Sequence, residues 1–355
     1  MRSKPNQIKE YYIAYFDILG YKEFFKKQSD SVPKLLDSIH NAIEHTNNRI
    51  ENVNNSPIMN ELGNIDIKIK VFSDNILLCM DMLCGKLEQL RLLAFFQIVA
   101  DIQRGFVNDY ALFVRGGICK GTLSFNENYV FGQGLVDVVT MEARAKYPRI
   151  IISDDLIEML GDNRFVSQDD HAKAEKIEKK IINKNSISTE EQQLYSQVLF
   201  GVNMNNILQY IASQLVILWP DGKWILSYLN LIDITELIGI DIKKNLMSEL
   251  KNVSSYDYQL ANTKSEGIDI SIQKHKEKIE EKLLIYGSNA DINLEDSEMA
   301  ELRESILHKY IWSMAYHNDI CERYSKTELK ILTRCNCDKR FLKMTIEVLP
   351  GVDMV

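Results

Sequence analysis

Ile65-Asp66-Ile67-Lys68-Ile69-Lys70-Val71-Phe72-Ser73-Asp74-Asn75-Ile76-Leu77-Leu78-Cys79-Met80 reads as two short apolar strands folded back on each other at Phe72-Ser73-Asp74-Asn75. Before the turn, Ile65, Ile67, Ile69 and Val71 alternate with Asp66, Lys68 and Lys70, the period of a half-buried strand. After it, Ile76 to Met80 is apolar without alternation, as expected of a strand covered on both faces. Ser73, Asp74 and Asn75 suit the turn because short polar side chains bond local backbone and tolerate unusual dihedrals. Taken alone, Asp74 needs no role beyond that turn.

A second stretch gives it one. Tyr11-Tyr12-Ile13-Ala14-Tyr15-Phe16-Asp17-Ile18-Leu19-Gly20-Tyr21 is another apolar strand, and it ends on a carboxylate shortly before a glycine. An aspartate at a strand tip and another in a hairpin turn can share divalent cations if the strands are neighbours. Carboxylates together with substrate phosphates are the usual ligands of Mg²⁺, a hard cation that keeps some of its waters. Two such cations can clamp the attacking and leaving oxygens of a phosphoryl displacement.

The rest of the chain bounds this reading. Its 355 residues allow two domains or one domain with a large appendage, and 45% hydrophobic residues supply a sizeable core. A formal charge of −8 argues against a large basic nucleic-acid surface. The six cysteines show no paired zinc-type spacing, and Cys335-Asn336-Cys337 is the sole close pair. The polar start, Met1 to Gln7, is no signal peptide, and no apolar run approaches the roughly 20 residues that span a bilayer. A cytoplasmic protein with reduced thiols is expected.

In chain order, the pattern predicts a strand at 11–17 and a helix from Tyr21 to about Val53 broken near Pro33. The central hairpin follows, then a long helix from Gly85 to about Tyr110, with Leu87, Leu90, Leu93, Phe96, Val99 and Ile102 on one side. Leu112–Leu123 and Tyr129–Phe131 are strands, Leu135–Lys146 a helix stopped by Pro148, and Arg149–Ser153 a buried strand. Residues 161–212 form a charged helical insertion in which Ser188-Thr189-Glu190-Glu191 is a capping box. Leu215–Trp219 and Trp224–Leu229 make a further hairpin, read as an addition to the first sheet. The expected organisation is one domain over 8–233, with its core at 11–155 and the added hairpin at 215–232, then a mostly helical region over 234–355. The fold class is α+β, an antiparallel or mixed sheet with packed helices in the ferredoxin-like or palm style. Leu302, Ile306, Tyr310 and Met314 make a helical stripe widened by Leu307, Ile311 and Ala315, and His308 and His317 on the same helix are read as packing or surface residues.

The first 155 residues resemble the class III nucleotidyl cyclase catalytic domain. Phe16-Asp17-Ile18-Leu19-Gly20-Tyr21 is similar to that family's metal segment, and Lys70-Val71-Phe72-Ser73-Asp74 to its second metal ligand and turn. Arg115-Gly116-Gly117-Ile118-Cys119-Lys120-Gly121 resembles its Arg-x-Gly-Ile-x-x-Gly strand, and Met141-Glu142 stands where a Leu-Glu is frequent. The resemblance covers under half the chain and extends to bacterial cyclase-like proteins, including pyrimidine cyclases of phage defence.

What the resemblance implies is a homodimer with sites at the subunit interface, acting on a nucleoside triphosphate in cyclic-nucleotide signalling. Asp17, Asp74 and the Ile18 carbonyl would hold two Mg²⁺ or Mn²⁺, and the amides of Leu19, Gly20 and Tyr21 would cradle the triphosphate. Lys70 falls at the position of a base-reading lysine, and Arg115 is a further candidate for substrate contact. The family's helix carries an asparagine and a transition-state arginine, which here are Val136 and Thr140. Arg144, one turn along the same face, and Arg149, just past Pro148, are the candidate replacements, with Lys146 third. Two other readings stay open: a degenerate cyclase fold that senses nucleotides or binds proteins, and a palm-type enzyme joining two nucleotides. The acidic balance disfavours template-directed work on nucleic acid.

Overall fold

The computed structural model describes residues 8–20, 32–55, 66–83, 85, 87–126, 128–161, 168–183, 186–229, 253–287 and 297–331. The predicted boundary near 233, Tyr21 and the Cys335–Cys337 pair lie outside them.

The two strands read first are there: β1 is Lys9–Ile18, and the hairpin is β2 (Ile67–Phe72) and β3 (Asn75–Asp81). Ser73 takes a φ of 60°, the left-handed conformation that turns the chain in two residues. Helix α1 (Val32–Asn54) connects β1 to β2, and α2 (Glu88–Tyr110) connects β3 to β4 (Val114–Phe125). Pro33, expected to mark a break, sits in the first turn of α1, where its missing N–H costs no intrahelical bond, and residues 21–31 lie outside the described residues. The strands order as β2-β3-β1-β4, antiparallel at each step. That is the split βαβ arrangement, in which each connecting helix joins two parallel strands separated by a third.

Beyond β4, the short β5 (Val130–Phe131) pairs back onto it. Helix α3 (Gln133–Ala145) then leads into β6 (Ile150–Ile152), which lies parallel to β4. Helices α4 (Asp154–Gly161), α5 (Gln168–Ile182) and α6 (Thr189–Leu215) follow. The Ser188 hydroxyl accepts from the Glu191 amide at 3.1 Å, and the Glu191 carboxylate accepts from the Ser188 amide at 3.0 Å, closing the capping box. Strands β7 (Val216–Leu218) and β8 (Trp224–Leu226) extend the sheet through β8 pairing with β6. Helices α7 (Val253–Gly287) and α8 (Ser297–Arg323) complete the α+β fold.

Alternation along β1 sorts the core. Tyr12, Ala14, Phe16 and Ile18 enter a large cluster with α1, α2 and the buried parts of α7 and α8. Tyr11 and Ile13 belong to a smaller one with Leu77, Cys79, Cys119 and Val138, under α3. Helix α3 lies almost on the sheet there. A Cβ on Gly117 would come within 2.6 Å of the Met141 Cβ, and one on Gly121 within 2.5 Å of the Gly134 Cα. Burial on α8 goes beyond the widened stripe, since every residue from 311 to 317 is buried, Trp312 and Tyr316 included.

Arg149 fastens the added hairpin. Fully buried at 1% exposure, it donates through Nη1 and Nη2 to the Asp221 carboxylate at 3.0 and 2.5 Å and through Nε to the Ala145 carbonyl at 2.9 Å. Its guanidinium also lies over the Tyr147 and Trp312 rings. Removing one partner of such a pair strands the other and opens a cavity. Arg149→Ala is therefore expected to lower unfolding free energy by about 2 kcal/mol in a denaturant titration, with Arg149→Lys recovering little because an ammonium lacks the two-pronged geometry. A midpoint equal to the parent's would refute this.

Candidate active site

Strand register sets four side chains in one row across the α3 face of the sheet: Phe72 opposite Asn75, Asn75 opposite Asp17, and Asp17 opposite Arg115. Asp74, in the turn, is tied to the tip of β1 through its carbonyl, which accepts from the Ile18 amide at 3.0 Å. The two aspartates, 57 residues apart in sequence, thus come close enough for the Asp74 carboxylate to raise the Asp17 carboxyl. The neighbouring row, Lys70, Leu77, Tyr15 and Gly117, puts Lys70 on the same face.

Sequence reasoning gave no role to the other polar groups that complete the site. Glu142, on α3, accepts from Arg115 through Nε and Nη2, both at 2.5 Å, while Arg115 Nη2 stands 3.6 Å from the Asp17 carboxylate. Tyr15 donates its hydroxyl to Asn75 Oδ1 at 2.7 Å, and Asn75 Nδ2 donates to Asp74 Oδ1 at 3.2 Å. Signals for them existed. Tyr15 lies two residues before Asp17 and so shares its face, Asn75 adjoins Asp74, and Glu142 stands in the quoted Met-Glu pair.

This crowding has an electrostatic consequence. Burial, then the charges of Asp74 and Glu142 and the hydrogen bond to Asp74, push the Asp17 carboxyl up to about 7, against the opposing pull of Arg115. The Tyr15 hydroxyl is raised as well, by burial and then by Glu142, Asp17 and Asp74. Arg115 is held most closely by Glu142, so the aspartate pair is short of positive charge. Among the described residues no group of three or more His, Cys, Asp or Glu side chains could hold a metal ion on its own. An all-oxygen pair short of countercharge still fits a hard cation whose remaining ligands are water, backbone carbonyl or phosphate oxygen.

The other expected residues fall as follows. Ile18 is buried at the tip of β1. The Leu19 amide donates to the Phe113 carbonyl at 2.8 Å, so it is committed to the fold. Gly20 has a φ of 84°, a turn conformation open to glycine. Val136 is 59% exposed, and the Thr140 hydroxyl bonds back to the Val136 carbonyl at 2.8 Å. Arg144 is exposed on the last turn of α3, whereas Arg149 is buried in its pair with Asp221. No helix among the described residues is long and apolar enough to cross a membrane.

No family model matches the chain, and no curated protein does. Among solved structures, the adenylyl cyclase CyaB from P. aeruginosa aligns with a TM-score of 0.33 and 14% identity, over 44% of this chain and 82% of that one.

Proposed function

We propose that the chain is a nucleotidyl cyclase, converting a nucleoside triphosphate to a cyclic nucleotide and pyrophosphate at a palm-type site. The observation that carries this reading is the meeting of Asp17 and Asp74 at one end of adjacent strands, where burial and the charges of Asp74 and Glu142 raise the Asp17 carboxyl. Mg²⁺ or Mn²⁺, when bound, would acidify the 3′-hydroxyl and neutralise charge on the departing pyrophosphate. Asp17, Asp74 and the Ile18 carbonyl are the ligands proposed for it. Gly20 and Tyr21 would receive the triphosphate, Lys70 would read the base, and Arg115 would contact the phosphates when Glu142 releases it. The 3′-hydroxyl gives up its proton to solvent, and the 3′-oxygen bonds to the α-phosphorus as the bond to the bridging oxygen of the β-phosphate breaks and pyrophosphate leaves. A homodimer, with the partner completing each site, belongs to the same proposal.

The decisive experiment is incubation of the purified protein with each of the four ribonucleoside triphosphates and Mn²⁺, with products identified by mass. A cyclic nucleotide from any of them supports the reading, and unchanged substrate in all four overturns it.

Transition-state charge is the open chemical need, because phosphoryl transfer depends on positioned cations. With Arg149 committed to Asp221, Arg144 is the α3 arginine proposed for that task. Its side chain can lean back towards Thr140, the direction in which helical side chains point. Arg144→Ala is expected to lower kcat by about a hundredfold at saturating nucleotide with binding largely kept. A parental rate would move the role to Arg115 or to a cation from the partner.

One observation favours a second reading, a nucleotide sensor without turnover: the α3 face offers Val136 and Thr140, the latter bonded to its own helix. Calorimetric binding of a nucleotide that is never converted would select it over the cyclase.

A further inference from the structure

We infer that Tyr15 and Asn75 are positioning residues that set the cation affinity of Asp74, an inference that rests on the two-aspartate reading above. An ionised carboxylate only accepts hydrogen bonds, so the Asn75 amide must present Nδ2, not Oδ1, to Asp74. That leaves Oδ1 facing the Tyr15 hydroxyl, which donates to it at 2.7 Å. The hydroxyl thereby fixes the amide's orientation, and the amide fixes the carboxylate.

The relay has a rigid base. Tyr15 packs on the small cluster under α3, and Asn75 pairs with Asp17 in the β1–β3 ladder. One Asp74 oxygen is engaged by a neutral donor, which adds no competing positive charge and leaves the other oxygen for Asp17 or a cation. Without the relay, Asp74 sits in a turn with its side chain held only from the Asp17 side. Groups that orient ligating side chains in this way typically change metal affinity by about 10–100-fold when removed.

The test is Mn²⁺ binding by the nucleotide-free protein, read by electron paramagnetic resonance, with kcat measured in parallel at saturating Mn²⁺. Tyr15→Phe deletes one oxygen and keeps the packing. Asn75→Ala removes the second link from a half-buried strand end. Each variant is expected to weaken Mn²⁺ binding by about tenfold, with kcat at saturating Mn²⁺ within about threefold of the parent. The double variant should be no weaker than either single, because both act through one orientation. Parental Mn²⁺ affinity in both variants, or additive losses in the double, overturns the relay while leaving the two-aspartate reading standing. A parent protein that binds no Mn²⁺ overturns both.

Discussion

Asp17→Ala and Asp74→Ala should each reduce turnover by about a thousandfold or more with Mn²⁺ present, while the chain stays folded. The size follows from what the pair is proposed to do. Each carboxylate contributes to holding cations that act mainly as the transition state forms, so losing either removes the electrostatic stabilisation and not merely binding. Folding should survive because the structural work at both positions is done by backbone. The Asp74 carbonyl, which accepts from the Ile18 amide, is kept in alanine, and the Asp17 ladder pairings with Asn75 and Arg115 are main-chain bonds. Near-parental product formation from either variant would remove the two-aspartate mechanism.

Asp17 should moreover be a site where function opposes stability. Its ordinary value is 3.8, and the fold raises it to about 7. A carboxyl raised on folding favours the folded state below its ordinary value, and that contribution is lost as pH rises through about 7. In metal-free protein Asp17→Asn should therefore raise Tm at pH 8, by on the order of 2 °C, and give less at pH 5, where the folded parent already carries the proton. An equal gain at both pH values would show that charge is not the cause.

Alternation and turn chemistry make much of this site legible in the sequence. Ile67 to Phe72 and Asn75 to Asp81 pair about Ser73 and Asp74 because that stretch is polar and short between apolar runs. What one strand's pattern cannot reveal is register against another strand. Only the pairing of Asp17 with both Asn75 and Arg115 shows which polar residues share a row. Arg149 illustrates the same limit: lying at a strand edge just past Pro148, it reads as available, and its partner Asp221 is 72 residues away in a turn. On α8 the widened stripe reaches Ile311, Met314 and Ala315 but not Trp312 or Tyr316, because periodicity reports the face a helix buries in one partner. This helix packs on several, so the alternation of exposed and buried positions disappears over 311–317.

His317 and His275 carry the other large effect. Both rings are fully buried, where α7 and α8 meet beneath the chain leaving β8. Their protons follow from the acceptors around them. The Leu329 carbonyl can only accept, so His317 donates to it through Nε2 at 3.0 Å and keeps Nδ1 bare. His275 must then donate through its own Nδ1 to His317 Nδ1 at 3.1 Å, and its bare Nε2 accepts from the Tyr228 hydroxyl at 2.8 Å. Every link is satisfied with both rings neutral, and an added proton on His317 Nδ1 sets two donors against each other and breaks the link between the rings. Around them lie Tyr316, Cys321, whose Sγ is 3.5 Å from His317 Nε2, and the charge of Lys276, which opposes a further positive charge. Burial, then, for His275, the neighbouring His317, lowers the His275 ring well below 6.5, and burial foremost takes His317 to about 4. Histidines lowered on folding leave the unfolded chain with the greater proton affinity. Their contribution is complete above 6.5 and is lost as pH falls towards 4. His317 alone implies a loss of about 3 kcal/mol over that window. Denaturant unfolding of Asp17→Asn, which lacks the opposing gain of the Asp17 carboxyl, should show a drop of that order between pH 7.5 and 4.5, and imidazole ¹⁵N shifts at pH 7.5 should report the Nδ1–H form of His275 and the Nε2–H form of His317. His275→Gln should be less stable than the parent at pH 7.5 yet lose less on acidification, having one titrating ring fewer. Equal stability of Asp17→Asn at the two pH values, or the opposite pair of tautomers, would break the chain of hydrogen bonds from which the effect is derived.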